Sequence, residues 1–160
     1  MIKKVFFEFL FDAANMQRWN DHIRPVDLNE LDKQAHKMII AFVLGKFAEE
    51  AGIAGFSWKR IIEGGIYELF QRIVTTDIKP ELHRQIKKDR KKYSQLNKWI
   101  FSQIREAFES VDKDFADGFI KYFTDDDDGI NRQILSAAHF YSTKWEFNVI
   151  EKFNGRGHRR

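Results

Sequence analysis

The apolar residues of this sequence recur at the spacing of an α-helix in every periodic stretch. The clearest stretch is 56–80, FSWKRIIEGGIYELFQRIVTTDIKP, where Ser57 suits a helix N-cap and Pro80 prevents the helix from continuing. The apolar positions that follow the helical period are Ile62, Ile66, Leu69, Phe70 and Ile73. No segment keeps the alternation of a half-buried strand. The sequence therefore predicts an all-α fold, a compact bundle of about six helices.

Two adjacent glycines lie inside this central helix, Gly64 and Gly65. Each costs about 1 kcal/mol relative to alanine in a helix interior, so we expect a close helix contact or an open space beside them. Glu68 and Arg72 form a polar stripe that borders this region, and Asp77 follows the end of the helix. Glu68 and Arg72 also have the spacing of an ordinary surface ion pair, worth about 0.3–0.5 kcal/mol.

Five further helices are predicted, over 3–15, 29–51, 94–110, 112–123 and 131–153. The residues predicted to be buried on the first are Phe6, Phe7, Leu10 and Phe11, and those on the second are Ile39, Ile40, Val43, Leu44 and Phe47. On the helix over 94–110 they are Leu96, Trp99, Ile100, Ile104 and Phe108. We expect one domain over 1–153, followed by a flexible basic tail over 154–160.

Composition excludes several classes of protein. A hydrophobic content of 43% with 16 phenylalanines is incompatible with a disordered chain. The absence of cysteine excludes a disulfide framework and a thiolate metal site, and it fits a reducing compartment. No apolar run reaches the roughly 18 residues that a membrane span needs, and Glu8 and Asp12 interrupt the signal-like start. We therefore expect a cytoplasmic protein with no membrane partner.

Three residues on different predicted helices are candidates for one metal site: His36, Glu68 and His139. On the last helix, His139 shares a face with Thr143 and Glu146. Imidazole and carboxylate together suit Mn, Co, Fe or Zn. The alternative is that each histidine is structural, because residues scattered over three helices carry no spacing signal.

The order of several short motifs resembles the HD-domain phosphohydrolases, in the branch of the bacterial 5′-deoxynucleotidases and their nucleotide triphosphohydrolase relatives. These motifs are the pair Arg18-Trp19, the histidine of Gln34-Ala35-His36 at the start of a long helix, and an ungapped central helix from Trp58 to Asp77. The resemblance covers most of the chain, from about Phe6 to Phe153.

The resemblance implies a compact helical fold with a divalent metal whose bound water attacks a phosphorus atom. Arg18 matches the arginine that binds the substrate phosphate in this branch, and a guanidinium can donate two parallel hydrogen bonds to it. Trp19 matches a wall for base or sugar, and Asp77 matches an acid that handles the proton or orients the water. For both residues a purely structural role is an equal alternative. The implied substrate is a small phosphorylated molecule, in particular a nucleotide.

Departures from the family pattern leave the activity open. Glu68-Leu69 stands where the family has its His-Asp pair. His139 stands where the family has its last aspartate, or Ala138 does if the alignment shifts by one residue. Arg72 replaces a glutamate of the family. The set His36, Glu68 and His139 would still give three ligands to a divalent metal, Mn, Co, Fe, Zn or Mg. The same pattern also fits a site that has lost its metal.

Three functional hypotheses follow. The first is a metal-dependent phosphohydrolase, with Arg18, Trp19 and Arg72 binding substrate and Asp77 assisting proton transfer. The second is an HD-like protein without catalysis that binds a nucleotide or a protein partner, and a homodimer is open under either. The third is an RNA- or DNA-associated protein, favoured only by the basic stretch 83–92. Nucleic acid is not the expected partner, because the net charge is only +3 and no nucleic-acid motif is present.

Overall fold

A computed structural model of the chain describes residues 1–125 and 129–154. In these residues the chain forms seven α-helices and no strand, apart from an isolated bridge between Gln17 and Asn29. The helices are α1 (Lys4–Asn15), α2 (Glu30–Glu50), α3 (Trp58–Val74), α4 (Pro80–Lys88), α5 (Arg90–Glu109), α6 (Lys113–Thr124) and α7 (Ile130–Glu151). The predicted all-α fold is confirmed. The additional helix is α4, which begins at Pro80, a residue well suited to the first helical position.

The chain divides into two compact units. Unit 1 consists of Met1–Asp12 and Ile66–Asp127, and unit 2 consists of Ala13–Gly65 and Asp128–Arg160. The single domain predicted over 1–153 therefore stays a prediction. Of the tail predicted over 154–160, only Asn154 belongs to the described residues. The three aspartates at 126–128 also lie outside them. No helix in the described part of the chain is long and apolar enough to cross a bilayer.

Unit 1 has an aromatic core built from α3, α5 and α6. The rings of Phe70 and Phe108 have centroids 4.8 Å apart, and Phe6 of α1 packs 5.1 Å from Phe70. The fully buried large residues of this core are Phe70, Ile100, Ile104, Phe108 and Phe119. Two predicted burials are wrong on α1, because Phe7 and Phe11 are exposed while Phe6 and Phe9 face the core.

A close contact fixes α6 against α3 in unit 1. The Tyr67 hydroxyl donates to the backbone oxygen of Phe115 at 2.6 Å, inside the core. A Cβ at Gly118 would lie only 2.5 Å from the Tyr67 hydroxyl oxygen, so this position has no room for a side chain. Trp99 of α5, predicted to be buried, is instead 50% exposed.

In unit 2, α2 buries a different face from the one that its apolar period predicts. The side chains of Ile39, Val43 and Phe47 are 64%, 48% and 65% exposed. The buried residues of α2 are Glu30, Lys33, Lys37, Ala41, Gly45 and Ala48. The prediction of this buried face is wrong for a physical reason: small residues let neighbouring side chains approach α2, and the large apolar residues are left outside.

Two glycines of unit 2 are sites of this close approach. A Cβ at Gly45 would lie 2.6 Å from Cη2 of Trp58, and one at Gly65 would lie 2.5 Å from Sδ of Met38. Gln34 also donates from Nε2 to the Gly65 oxygen at 2.8 Å. For Gly65, the close helix contact expected from the sequence is therefore present.

Candidate functional site: a buried ionic cluster in unit 2

The segment between α1 and α2 folds back on itself and places Arg18 beside the start of α2. The backbone NH of Arg18 donates to the Leu28 oxygen at 2.8 Å, and that of Glu30 donates to the Met16 oxygen at 2.9 Å. Trp19 adopts a positive φ of 58°, which is uncommon for a residue with a bulky side chain. Such local strain persists where the surrounding contacts enforce it, and here they hold Arg18 and Trp19 in one orientation.

The Arg18 guanidinium is bound by two carboxylates. Its Nε lies 3.0 Å from both oxygens of Glu146 and its Nη2 lies 2.8 Å from Oε2, while Nη1 lies 2.6 Å from Oε2 of Glu30. The Trp19 indole also donates to Oε2 of Glu146 at 2.9 Å. The carboxylate side chains of Glu146 and Glu30 are only 3% and 5% exposed. Arg18 and Trp19 therefore act together here, as donors to a carboxylate of α7.

Burial by itself lowers the pKa of Arg18, but hydrogen bonds and charge attraction from Glu146 and Glu30 outweigh it and raise the pKa above its ordinary value. The guanidinium is thus charged at any pH at which the protein is studied. Glu146 already occupies the Nε and Nη2 side of the guanidinium. A phosphate group could therefore form the paired contact on that side of Arg18 only by displacing this carboxylate.

Lys33 and His139 form a second contact of this cluster. The Lys33 Nζ lies 2.9 Å from Nδ1 of His139, and both Lys33 and Lys37 are buried. Burial lowers the pKa of Lys33 to about 8, and repulsion from Arg18 and Lys37 adds to the shift, while the nearby carboxylates oppose it. The ionic cluster, defined here as Arg18, Glu30, Lys33, Lys37, His139 and Glu146, therefore contains a lysine whose pKa is lowered to about 8.

The remaining predicted site residues have other surroundings. The His36 ring packs edge-on against Trp145, with centroids 5.2 Å apart, in unit 2. In unit 1, Oε1 of Glu68 accepts a hydrogen bond from the Tyr122 hydroxyl at 2.6 Å, and Arg72 Nη1 lies 3.5 Å from the Thr75 oxygen. Asp77 is exposed in the turn after α3. The roles assigned to these residues stay predictions.

Among residues 1–125 and 129–154, no group of three or more His, Asp or Glu side chains could hold a metal ion. The assignment of His36, Glu68 and His139 as ligands of a divalent metal stays a prediction.

Comparison with known proteins adds no family to these observations. No protein-family model matches the chain, and neither the curated proteins nor the solved structures give a match. The resemblance to the HD-domain phosphohydrolases thus stays a prediction.

Sequence reasoning missed Glu30 and Lys33 and only partly found Glu146. Glu146 was placed on one face of the last helix with His139 and Thr143, but its partner Arg18 is 128 residues away and nothing local links the two. Lys33 gave no signal, since a lysine near a helix start is normally solvated.

An exposed apolar surface lies on α2 and α7 of unit 2. The α2–α7 surface, as defined here, consists of Ile39, Val43, Phe47, Tyr141 and Trp145. On α2 the first three recur four residues apart and so share a face, as do Tyr141 and Trp145 on α7. The contact between His36 and Trp145 joins the two helices at this surface.

Proposed function

We propose that this chain is a helical interaction module that binds a second copy of itself through the α2–α7 surface. The observation that carries the proposal is the exposure of five large apolar side chains, between 48% and 65%, on two packed helices. Contiguous apolar patches on soluble proteins commonly mark interaction sites.

The area of this surface fits a dimer interface. Half-exposed side chains of this size leave roughly 100 Å² each to be covered, hence on the order of 500 Å² for the five. A standard interface buries about 800 Å² per partner, of which about 65% is apolar in homodimers. The α2–α7 surface therefore supplies about the apolar area that one partner needs.

The exposed face of α2 is also complementary to itself. A two-fold axis at Val43 would pair α2 with its copy in antiparallel orientation, since a dimer of identical chains uses the same patch twice. Ile39 then lies opposite Phe47 of the second copy, because each is four residues from the axis. His36 and Glu50 are each seven residues from the axis, so an imidazole meets a carboxylate at both ends of the interface. An imidazole can donate a hydrogen bond to a carboxylate, and this polar complementarity favours a second copy over an unrelated apolar partner.

The ion pairs of Arg18 argue against its predicted role in binding a substrate phosphate. If a phosphate displaced Glu146 and Glu30 from Arg18, two buried carboxylates would lose their cation. Breaking a buried ion pair in this way costs about 3–5 kcal/mol. Substrate binding would have to offset that cost at each turnover.

Sedimentation velocity tests the dimer. We expect the wild-type chain to sediment as a dimer at micromolar concentration, and Val43→Asp to sediment as a monomer because it places two carboxylates together at the axis. Ile62→Asp, which adds the same charge at a half-exposed isoleucine of unit 2 outside the α2–α7 surface, is the matched control and should leave the dimer intact. A wild-type monomer would refute the proposal.

A charge exchange tests the antiparallel register. His36→Glu should weaken the dimer by placing two carboxylates together, and Glu50→Lys in the same chain should restore it. Within one chain these positions are 14 residues apart, about 21 Å along the helix, so rescue can arise only between chains. Circular dichroism of each variant checks that the helices remain folded.

A metal-dependent phosphohydrolase is the second candidate function. The observation in its favour is the ionic cluster, because buried ionisable groups with shifted pKa values gather at active sites. Elemental analysis of the purified protein, with a panel of nucleotides and phosphate esters in Mn, Co, Zn or Mg, separates the two functions. Turnover that is lost in His36→Ala, Glu68→Ala and His139→Ala alike would establish the enzyme.

A further inference from the structure

Positive charge is concentrated in one short part of unit 1. Residues 79–98, which include α4 and the first half of α5, carry eight Lys and Arg and two carboxylates, a net charge of +6 in a chain whose total is +3. We define the basic surface by the cations of this segment, all of which are exposed in the structure: Lys79, Arg84, Lys87, Lys88, Arg90, Lys91, Lys92 and Lys98.

The two carboxylates in this segment neutralise little of the charge. Arg84 pairs with Glu81 at 2.7 Å and Lys92 pairs with Asp89 at 3.4 Å, both as exposed contacts within one turn. Exposed pairs of this kind contribute little and are screened by salt. Burial lowers the pKa of His83, and repulsion from Lys87 and Arg72 lowers it further, as expected beside an excess of positive charge.

An exposed aromatic residue lies among these cations. Trp99 follows Lys98 directly and is seven residues after Lys92, which places it on the same face of α5 two turns further along. Its ring is half-exposed instead of filling the core. A solvent-facing indole beside lysines can stack an unpaired base while the cations contact the neighbouring phosphates.

We propose that the basic surface and Trp99 bind single-stranded nucleic acid. Lysine and arginine would attract the phosphate backbone, and the indole would stack on one base. A duplex fits less well, because its bases are already stacked and unavailable to Trp99. The inference concerns unit 1 alone and does not depend on dimer formation through α2 and α7.

Fluorescence anisotropy with a labelled 16-nucleotide oligo-dT and its oligo-U counterpart tests the proposal. We expect binding at low salt whose logarithmic affinity falls with the logarithm of salt concentration, with a slope of about −3 if four phosphates are contacted. Lys88→Glu/Lys91→Glu should weaken binding at least tenfold. Lys121→Glu, a charge reversal at an exposed lysine of α6, is the control and should change affinity less than twofold.

Trp99→Ala separates base stacking from simple charge attraction. It should weaken oligo-dT binding about tenfold without changing the salt slope, while Trp99→Phe retains most of the affinity. The proposal is refuted if Trp99→Ala has no effect, if poly-glutamate competes as well as oligo-dT, or if a duplex of equal length binds as tightly. Binding to phosphatidylserine vesicles with no binding to either oligonucleotide would refute it in favour of a lipid surface.

Discussion

Arg18 and Glu146 form a buried pair in which the guanidinium Nε contacts both carboxylate oxygens at 3.0 Å and Nη2 adds a third contact at 2.8 Å. The pair joins the loop after α1 to the C-terminal half of α7, and Nη1 extends it to Glu30 at the start of α2. Three segments of unit 2 are thereby held by one guanidinium. The residue that the sequence assigned to substrate phosphate has a structural partner on α7.

Replacing Arg18 should therefore reduce stability. Arg18→Ala leaves Glu146 and Glu30 buried without their cation, and we expect a loss of about 3–5 kcal/mol in the free energy of unfolding. Arg18→Lys should lose less, because an ammonium keeps the charge but lacks the planar fork. Urea unfolding followed by circular dichroism measures both. An unchanged urea midpoint in Arg18→Ala would contradict a structural role.

The distance between these partners in the chain explains why the sequence predicted the fold better than the site. Helical periodicity is local, and it located α2, α3, α5 and α7 nearly as the structure has them. The pairing of Arg18 with Glu146 depends on tertiary packing over 128 residues, and no local pattern encodes it.

Lys33 should make stability rise with pH. Its pKa is about 8 in the folded protein, against 10.5 ordinarily, so between these values the unfolded chain binds more protons than the folded one. Stability then increases as pH rises from about 8 to 10.5, by an amount on the order of 3 kcal/mol when deprotonation is complete. Below pH 8 both states are protonated and this group adds no slope. Unfolding free energies at pH 7.5 and pH 10 give the difference.

The control for this pH dependence is Lys33→Met, which keeps an unbranched side chain of nearly the same length but cannot titrate. The charged groups around Lys33 are Arg18, Glu30, Lys37 and Glu146, with His139 as its hydrogen-bond partner. Since those groups remain in the variant, only the slope that Lys33 contributes should disappear. Equal slopes in the two proteins would show that Lys33 titrates near its ordinary pKa.

Gly45 should tolerate no side chain while Trp58 is present. A Cβ there would lie 2.6 and 2.7 Å from two ring carbons of Trp58, a rigid neighbour. We expect Gly45→Ala to destabilise the protein by about 1–3 kcal/mol, although alanine favours a helix by about 1 kcal/mol. In a Trp58→Leu background the same change should be neutral or stabilising. Thermal unfolding of the wild type, the two single variants and the double variant gives the coupling free energy between positions 45 and 58. If the two substitutions have additive effects on stability, the close contact is contradicted.

The same contact shows what periodicity could not decide on α2. The sequence contains two stripes on this helix, one of large apolar residues with Val43 at its centre and one of small residues with Gly45 at its centre. Hydrophobicity favours burial of the first stripe, whereas close packing favours the second. The structure buries the small stripe. Which stripe faces a partner depends on tertiary and quaternary contacts that a single helix does not specify.

The contact between Lys33 and His139 distinguishes a structural histidine from a metal ligand. The 2.9 Å distance indicates that His139 accepts a hydrogen bond from Lys33. We therefore expect His139→Ala to lower the free energy of unfolding by about 0.5–1.5 kcal/mol at pH 7. In a Lys33→Met background the same substitution should lower it by less. The four proteins form a double-mutant cycle that is measured by urea unfolding, once with EDTA and once with Mn or Zn. A metal ligand behaves differently, since bound metal stabilises the folded state by mass action and His139→Ala would abolish that gain whatever residue occupies position 33. If the coupling free energy between positions 33 and 139 is the same with and without metal, His139 belongs to the ionic cluster. If His139→Ala lowers the free energy of unfolding only when metal is present, and shows no coupling to position 33, His139 belongs to the predicted metal site.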